Sequence, residues 1–435
     1  MKICLYGRTA LAHTGCRCII AALSSSLPRG VRIRIPRGDG ESGALMIVGV
    51  LVESHPDERR VALVPTVVPA LQKHGAEAVI ERGAGARAGF ADATYEAQGA
   101  GIAMDRGEVF ASSDVLLRVR AFTADEPDLA SLREGQVLVG LLNPLGAPAV
   151  IQTLAERGVD AFALELLPRI TRAQSMDALT SMATIAGYKA VLLAASTVTK
   201  MYPLMMTAAG TITPARVLVV GAGVAGLQAI ATARRLGAVV QAYDVRPAAR
   251  EQVESLGARF VALDLETDSA EDAGGYAQVM DDEFYRRQRE LMTSLVEESD
   301  IVITTAAVPG SPAPVLIMED AVHAMRPGSV IVDLAAETGG NCELTRPGET
   351  VSMNGVTVAG PTELAATVPF DASQMYARNV TSFLGSLLDD GAVRLDLEDE
   401  ILRDTLLTHR GTVVHPRVRD LLGLAPLESA GRREE

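Results

Sequence analysis

Residues 169–177, RITRAQSMD, gather Arg169, Arg172, Gln174, Ser175 and Asp177 into nine positions, with no His, Cys or Lys among them. Such groups hold a polar ligand well, yet they offer nothing that takes or gives a proton near pH 7. Chemistry there is chemistry of positioning. A second constellation lies in RVLVVGAGVAGLQAIATARRLGAVVQAYDVR, residues 216–246, where Gly221-x-Gly223-x-x-Gly226 follows an apolar run and Asp244 stands eighteen residues after the last glycine. Alone, G-x-G-x-x-G is weak evidence; set between a strand and a helix, with an acid closing the next strand, it is a dinucleotide-binding pattern. The three glycines serve a tight turn, the approach of a pyrophosphate to the backbone, and close helix–sheet packing, with Val224 opening a helix whose N-terminus faces the anion. Asp244 can accept from a ribose 2′-OH and would repel a 2′-phosphate, whereas Arg246 would attract one. The acid sits at the strand end itself, so NAD(H) is the expected nucleotide.

The elements that must position these residues are legible as alternating short apolar strands and helices. MIVGVLV opens at Met46, VPTVVPALQKHGA reads as a helix, and AEAVIERGAG, DVLLRVR, GQVLVGLL and AFALEL (161–166) read as strands and turns. Ser175 is the expected N-cap of a long helix through MATIAGYKAVLLAAST, able to bridge two domains. Beyond the glycine turn, SDIVITTAAVPG and GSVIVDLAAETGGN give two more strands, the latter carrying Asp333 and Glu337 at its C-terminal end beside the expected nucleotide cleft. The stretch LDLETDSAEDAGGYAQVMDDEF, 263–284, reads as a mobile loop carrying Tyr276. The expected fold is α/β, two Rossmann-like doubly wound parallel-sheet domains joined by long helices. The first, discontinuous domain takes 46–180 plus about 365–425; the NAD(H)-binding domain takes 181–364, with its mobile loop at about 264–284.

Bulk properties narrow the function. With 435 residues, 48% of them hydrophobic and no Trp, the chain can build two or three packed domains. A formal net charge of −14 excludes nucleic acid as an expected partner, because phosphate binding needs a basic face. Residues 1–45 differ: Lys2, Arg8, Arg17, Arg29, Arg32, Arg34 and Arg37 face only Asp39 and Glu41, the composition of a targeting presequence or of a non-native, disordered extension. Three of four cysteines, Cys4, Cys16 and Cys18, fall in that segment and Cys342 stands alone, so no disulfide framework and no metal site is expected. The long uncharged stretches 135–155 and 301–318 are broken by prolines, which argues against spanning helices there.

RAQSMDALT, the glycine turn through DVRPAAREQVESLGA, AGGYAQVMDDEFYRRQRELM, TTAAVPGSPAPVLI and GGNCELT together resemble the NAD(H)-binding (alpha, domain I) subunit of proton-translocating NAD(P) transhydrogenase, over about residues 46–415. The resemblance implies direct hydride transfer from NADH bound here to NADP⁺ held on a partner subunit. It implies a membrane-embedded proton-channel subunit, a homodimer, and a cytoplasmic location attached to the inner membrane through partner subunits. It also implies roles: Arg169, Gln174, Asp177 and Thr180 around the nicotinamide and its ribose, with Gln174, Arg169 and Asp177 the catalytic candidates. Gly221, Gly223, Val224, Gly226, Asp244, Val245 and Arg246 hold the adenosine half and the phosphates, Tyr276 sits on the closing loop, and Gln288 follows it. The chain departs from that family at Met182, Lys189, Glu363 and Ala365, the last two replacing an Asn and a Pro.

Alanine dehydrogenase, which shares the fold, is the alternative. That enzyme moves protons with a Lys and a His, and the matching stretches LLRVRAF and GLLNPLG carry Arg120 and Asn143 instead. Neither shuttles a proton near neutral pH. Arg60, in ERRVAL, is common to both families. His55 and His74 read as solvated turn residues, and a non-catalytic NAD-binding protein is the further alternative.

Overall fold

The computed structural model describes residues 33–34, 46–262, 282–307 and 310–427. Two sheets organise them. In the first, Thr412–Val413, Leu406–His409, Asp160–Ala163, Val137–Gly140, Val115–Leu117, Met46–Val50, Ala76–Glu81 and Gly101–Ala103 lie side by side in that order. In the second the order is Arg259–Val261, Val239–Tyr243, Arg216–Val220, Ile301–Thr304, Val330–Asp333, Val356–Ala359 and Thr350–Met353. Each has a parallel core whose strand order reverses beside its first strand, Met46–Val50 or Arg216–Val220. This is the doubly wound α/β arrangement, with an open crevice where the order reverses. Antiparallel strands complete one edge of each sheet, at 406–413 and at 350–353. Runs such as VLVG, IVIT and VIVD are buried at every position, because helices cover both faces of a parallel sheet.

Helix Ala178–Thr197 joins the two units. Ala178, Met182 and Ile185 belong to the core of the first sheet, while Ala190, Val191 and Ala194 belong to that of the second. It crosses the glycine-turn helix Val224–Arg235 at Gly187, where any Cβ would lie 2.1 Å from the Ala225 carbonyl oxygen. Helix Pro369–Leu387 packs against it as well and carries the chain back onto the first sheet. Ala178–Thr197 is also the one helix among the described residues long and apolar enough to cross a membrane. Its contacts with both cores make it an internal strut.

Local expectations need four corrections. The long helix is capped by Asp177, whose side chain accepts from the Thr180 N–H at 2.8 Å, and not by Ser175, which lies in the 3-10 turn Thr171–Met176. The strand in AFALEL stops at Ala163, and Leu164–Leu166 forms a 3-10 turn. The helix expected across VPTVVPALQKHGA shrinks to a 3-10 turn Pro65–Val67 and a short helix Val68–Gln72, since Pro65 and Pro69 each restart it. Asp333 is no cleft ligand: its buried carboxylate accepts from Thr304 and Thr345 hydroxyls and from the Ala335, Asn341 and Cys342 N–H groups. Cys342 is buried and unpaired. Cys4, Cys16, Cys18, Tyr276 and most of the 264–284 loop lie outside the described residues, as does the 1–45 extension apart from Ile33–Arg34.

Candidate nucleotide-binding site

The glycine turn sits at the switch point of the second sheet, between strand Arg216–Val220 and helix Val224–Arg235. Gly221 has φ 96, a left-handed conformation that suits glycine, and a Cβ there would lie 2.7 Å from the Thr305 hydroxyl. At Gly226 a Cβ would fall 1.9 Å from the Gly221 carbonyl oxygen. Gly223 contrasts with both, because a Cβ there would meet nothing within 4 Å. Gly223 is the N-cap of the helix and supplies no side-chain cap, so the first N–H groups face open space. Two glycines are closed by the fold and the middle one is open to a ligand. A pyrophosphate fits that opening.

Asp244 closes the next strand as expected, but its carboxylate is fully engaged. It accepts from the Ala222 N–H at 2.7 Å and, at 2.9 Å each, from the Arg246 N–H, Nε and Nη2. Asp244 thereby fixes the glycine turn and neutralises the residue that would have favoured a 2′-phosphate. Val245 and Arg246 are half-buried beside it, and Val224 is exposed on the first turn of the helix. Gln288, on helix Asp282–Glu297, donates from Nε2 to the Tyr243 hydroxyl at 2.9 Å, and burial pushes that phenol up to about 12. The Gln288 Oε1 is buried without a hydrogen-bond partner.

The structure divides the polar loop in two. Asp177 and Thr180 satisfy each other, the Thr180 hydroxyl donating to Asp177 Oδ2 at 2.6 Å and its N–H to Oδ1. Arg172 donates from both terminal nitrogens to Asp399, at 2.8 and 2.5 Å, tying the loop to the first domain's last helices. Ser175 offers its carbonyl to Asn379 Nδ2. Arg169 and Gln174 are exposed. Asp177 lies ten residues before Gly187, where the helix touches the glycine-turn helix, or about 15 Å along a helix axis. One rigid element therefore sets loop and glycine turn at a fixed separation.

A cluster that no sequence pattern assembles lies on the first sheet's side of the crevice. Arg60, buried, donates to Glu58 from Nε at 2.7 Å and from Nη2 at 2.5 Å, and Nη2 also reaches Glu363 at 2.5 Å. Arg120 Nη1 stands 3.3 Å from the other oxygen of Glu363. Burial, then the Glu363 charge, pushes the Glu337 carboxyl above its ordinary range, against the pull of Arg120, Arg60 and His55. Asn143 adopts φ 48 and its N–H donates to Glu165 Oε1. Glu165 is half-buried as a residue, but its Oε2 is shut from solvent without a partner, and burial raises this carboxyl to about 7. Arg120 and Asn143 thus serve Glu363 and Glu165. Only acidic residues scattered through the chain signalled this cluster, and nothing in their spacing joined them.

Two doubly wound domains bridged by helices, with a ligand-open glycine turn at one switch point, define a Rossmann-type protein of the dinucleotide-binding class. Residues 49–186 match the alanine dehydrogenase/PNT N-terminal domain and residues 190–416 the corresponding C-terminal domain. The chain belongs to the alanine dehydrogenase/PNT family. It is 48% identical over 377 residues to the first of the polypeptides that make up NAD(P) transhydrogenase subunit alpha in Rhodospirillum rubrum, covering 85% of this chain and 98% of that protein. A solved transhydrogenase from Sinorhizobium meliloti superimposes with TM-score 0.76 at 44% identity, over 85% of this chain and 100% of that one. A solved L-alanine dehydrogenase follows at TM-score 0.72 and 26% identity, over 87% and 99%.

Proposed function

We propose that this chain is the NAD(H)-binding subunit of a proton-translocating NAD(P) transhydrogenase. NADH bound here supplies the hydride, and NADP⁺ on a partner subunit receives it. The observation that carries the reading is the ligand-open cradle at Gly223, set between two glycines that the fold itself requires. The helix N-terminus and the Gly221–Gly226 backbone hold the pyrophosphate, and Asp244 with Val245 and Arg246 borders the adenosine ribose. A ribose hydroxyl reaches Asp244 only as Arg246 yields part of its hold, since four donors already surround that carboxylate. Gln288 and Tyr276 complete the adenosine side. Arg169 and Gln174 orient the nicotinamide end, and Asp177 with Thr180 holds their loop at the helix start. Hydride transfer between two nicotinamide rings needs aligned carbons and excluded water, with no proton acceptor. Exposed positioning groups suit a site that is completed by a second protein. Membrane-embedded partners couple the step to proton movement and hold the chain, as a homodimer, at the inner membrane.

Alanine dehydrogenase chemistry is the weaker reading, because Arg120 is committed to Glu363 and Asn143 to Glu165. The test is reconstitution. The purified chain mixed with a transhydrogenase NADP-binding subunit should carry out single-turnover hydride transfer from NADH to NADP⁺, and either protein alone should not. Oxidation of alanine with NAD⁺ by the chain alone would overturn the proposal, and nucleotide binding without transfer in the mixture would favour a non-catalytic NAD-binding protein.

A further inference from the structure

Glu363 is the residue whose placement the fold explains least. It holds φ 51, a left-handed conformation that costs a side chain with a Cβ, directly before the 3-10 turn Leu364–Thr367. It follows strand Val356–Ala359 of the second sheet, yet its carboxylate reaches across to Arg60 and Arg120, which follow the neighbouring strands Met46–Val50 and Val115–Leu117 of the first. Backbone strain of this kind persists where the surroundings over-determine it, and here the surroundings are two guanidinium groups converging on one carboxylate.

The fit is incomplete. Arg60 Nη2 makes a short bond to Glu363, but Arg120 Nη1 approaches at 3.3 Å without hydrogen-bond geometry and, though buried, has no hydrogen-bond partner. A carboxylate tethered to the backbone cannot satisfy both forks at once. An untethered one could turn to meet both. Charge points the same way: Arg60 and Arg120 are balanced by Glu58 and Glu363, so the pair carries a surplus positive charge once Glu363 is taken away.

We infer that Arg60 and Arg120 form a receptor for a small carboxylate anion, that Glu363 occupies it from within the chain, and that Glu363 thereby denies the crevice to free carboxylates. Glu363 is in this sense a specificity-determining residue, since it reserves the space between the sheets for a ligand that brings no carboxylate. The inference goes beyond the transhydrogenase reading and stands independently of it, because anion binding is measured without nucleotide or partner.

The test uses the full chain and sodium acetate as the probe, with sodium chloride at matched ionic strength as the control. Glu363→Gly removes the carboxylate and suits the left-handed backbone. It should bind acetate saturably by calorimetric titration, at least about tenfold tighter than the unaltered chain, with an acetate-dependent rise in unfolding temperature. Glu363→Asn, also tolerant of that backbone, should do the same and serves if the glycine variant does not fold. Adding Arg120→Ala to either should abolish the response. A folded variant without saturable acetate binding, equal binding by the unaltered chain, or a response that survives Arg120→Ala would each overturn the inference.

Discussion

The glycine turn and the Arg169–Thr180 loop are the two halves of the proposed site, and they are built on opposite principles. In the turn the recognition surface is backbone. Its geometry follows from absent side chains: Gly221 against Thr305, Gly226 against Gly221, and open space at Gly223. In the loop the recognition surface is side chain, Arg169 and Gln174 exposed on a scaffold pinned by Arg172–Asp399 and Asp177–Thr180. A backbone cradle is finished before a ligand arrives. An exposed side-chain clamp is finished by the ligand and by whatever packs over it, so the first should govern affinity and the second rate.

The sharpest way to break this comparison is within the turn itself. Gly226→Ala drives a methyl to 1.9 Å from a backbone oxygen that cannot swing away, and should cost several kcal/mol, at or beyond the overpacking range of about 1–3 kcal/mol. Thermal unfolding should show it even without nucleotide. Gly223→Ala, facing open space, should leave the unfolding temperature unchanged and weaken only NADH binding; equal destabilisation by both would mean that Gly223 is structural.

On the loop side, Gln174→Asn and Arg169→Ala should lower single-turnover hydride transfer in the reconstituted mixture by about 100-fold, because a misplacement near 1 Å suffices. NADH affinity should change far less. Should the whole defect be lost NADH binding, the loop is an affinity element like the turn, and the contrast disappears.

A third test concerns the first sheet's side of the crevice. Burial raises the Glu165 carboxyl from an ordinary 4.5 to about 7, so between these values the folded chain keeps a proton that the unfolded chain has released. The stability tied to this group is complete below pH 4.5 and is lost as pH rises through about 7. Glu165→Gln should remove that decline and stabilise the chain above neutral pH by on the order of 2 kcal/mol, allowing for partial solvent screening. Identical pH profiles of unfolding for the two proteins would show that Glu165 titrates normally.

The smallest expected effect is in nucleotide choice. Asp244→Ala frees Arg246 from its contacts with that carboxylate and removes a negative charge from the ribose end. NADH should bind the unaltered chain better than NADPH, and the variant should narrow that gap by about tenfold, ~1.4 kcal/mol. Equilibrium titration with both nucleotides decides it, and an unchanged ratio would place discrimination elsewhere.

What the sequence alone determined is whatever depends on local periodicity or on the absence of a Cβ. Short apolar runs bounded by turn residues announced the strands of both parallel sheets, and three glycines ahead of a helix announced the cradle, because those demands act within a few residues along the chain. The limits of elements were less legible where neighbours compete: Asp177 took the cap from Ser175, and Pro65 with Pro69 cut short a helix whose apolar spacing ran further. Tertiary structure alone decided the partners of charged side chains. That Asp244 grips Arg246 and Ala222, that Asp333 is an internal anchor, and that Glu363 crosses from one sheet to two arginines of the other are outcomes of long-range packing. A carboxylate's acceptors look alike from the sequence. Which donors surround them depends on which strand ends the fold brings together, here residues as far apart as 60, 120 and 363.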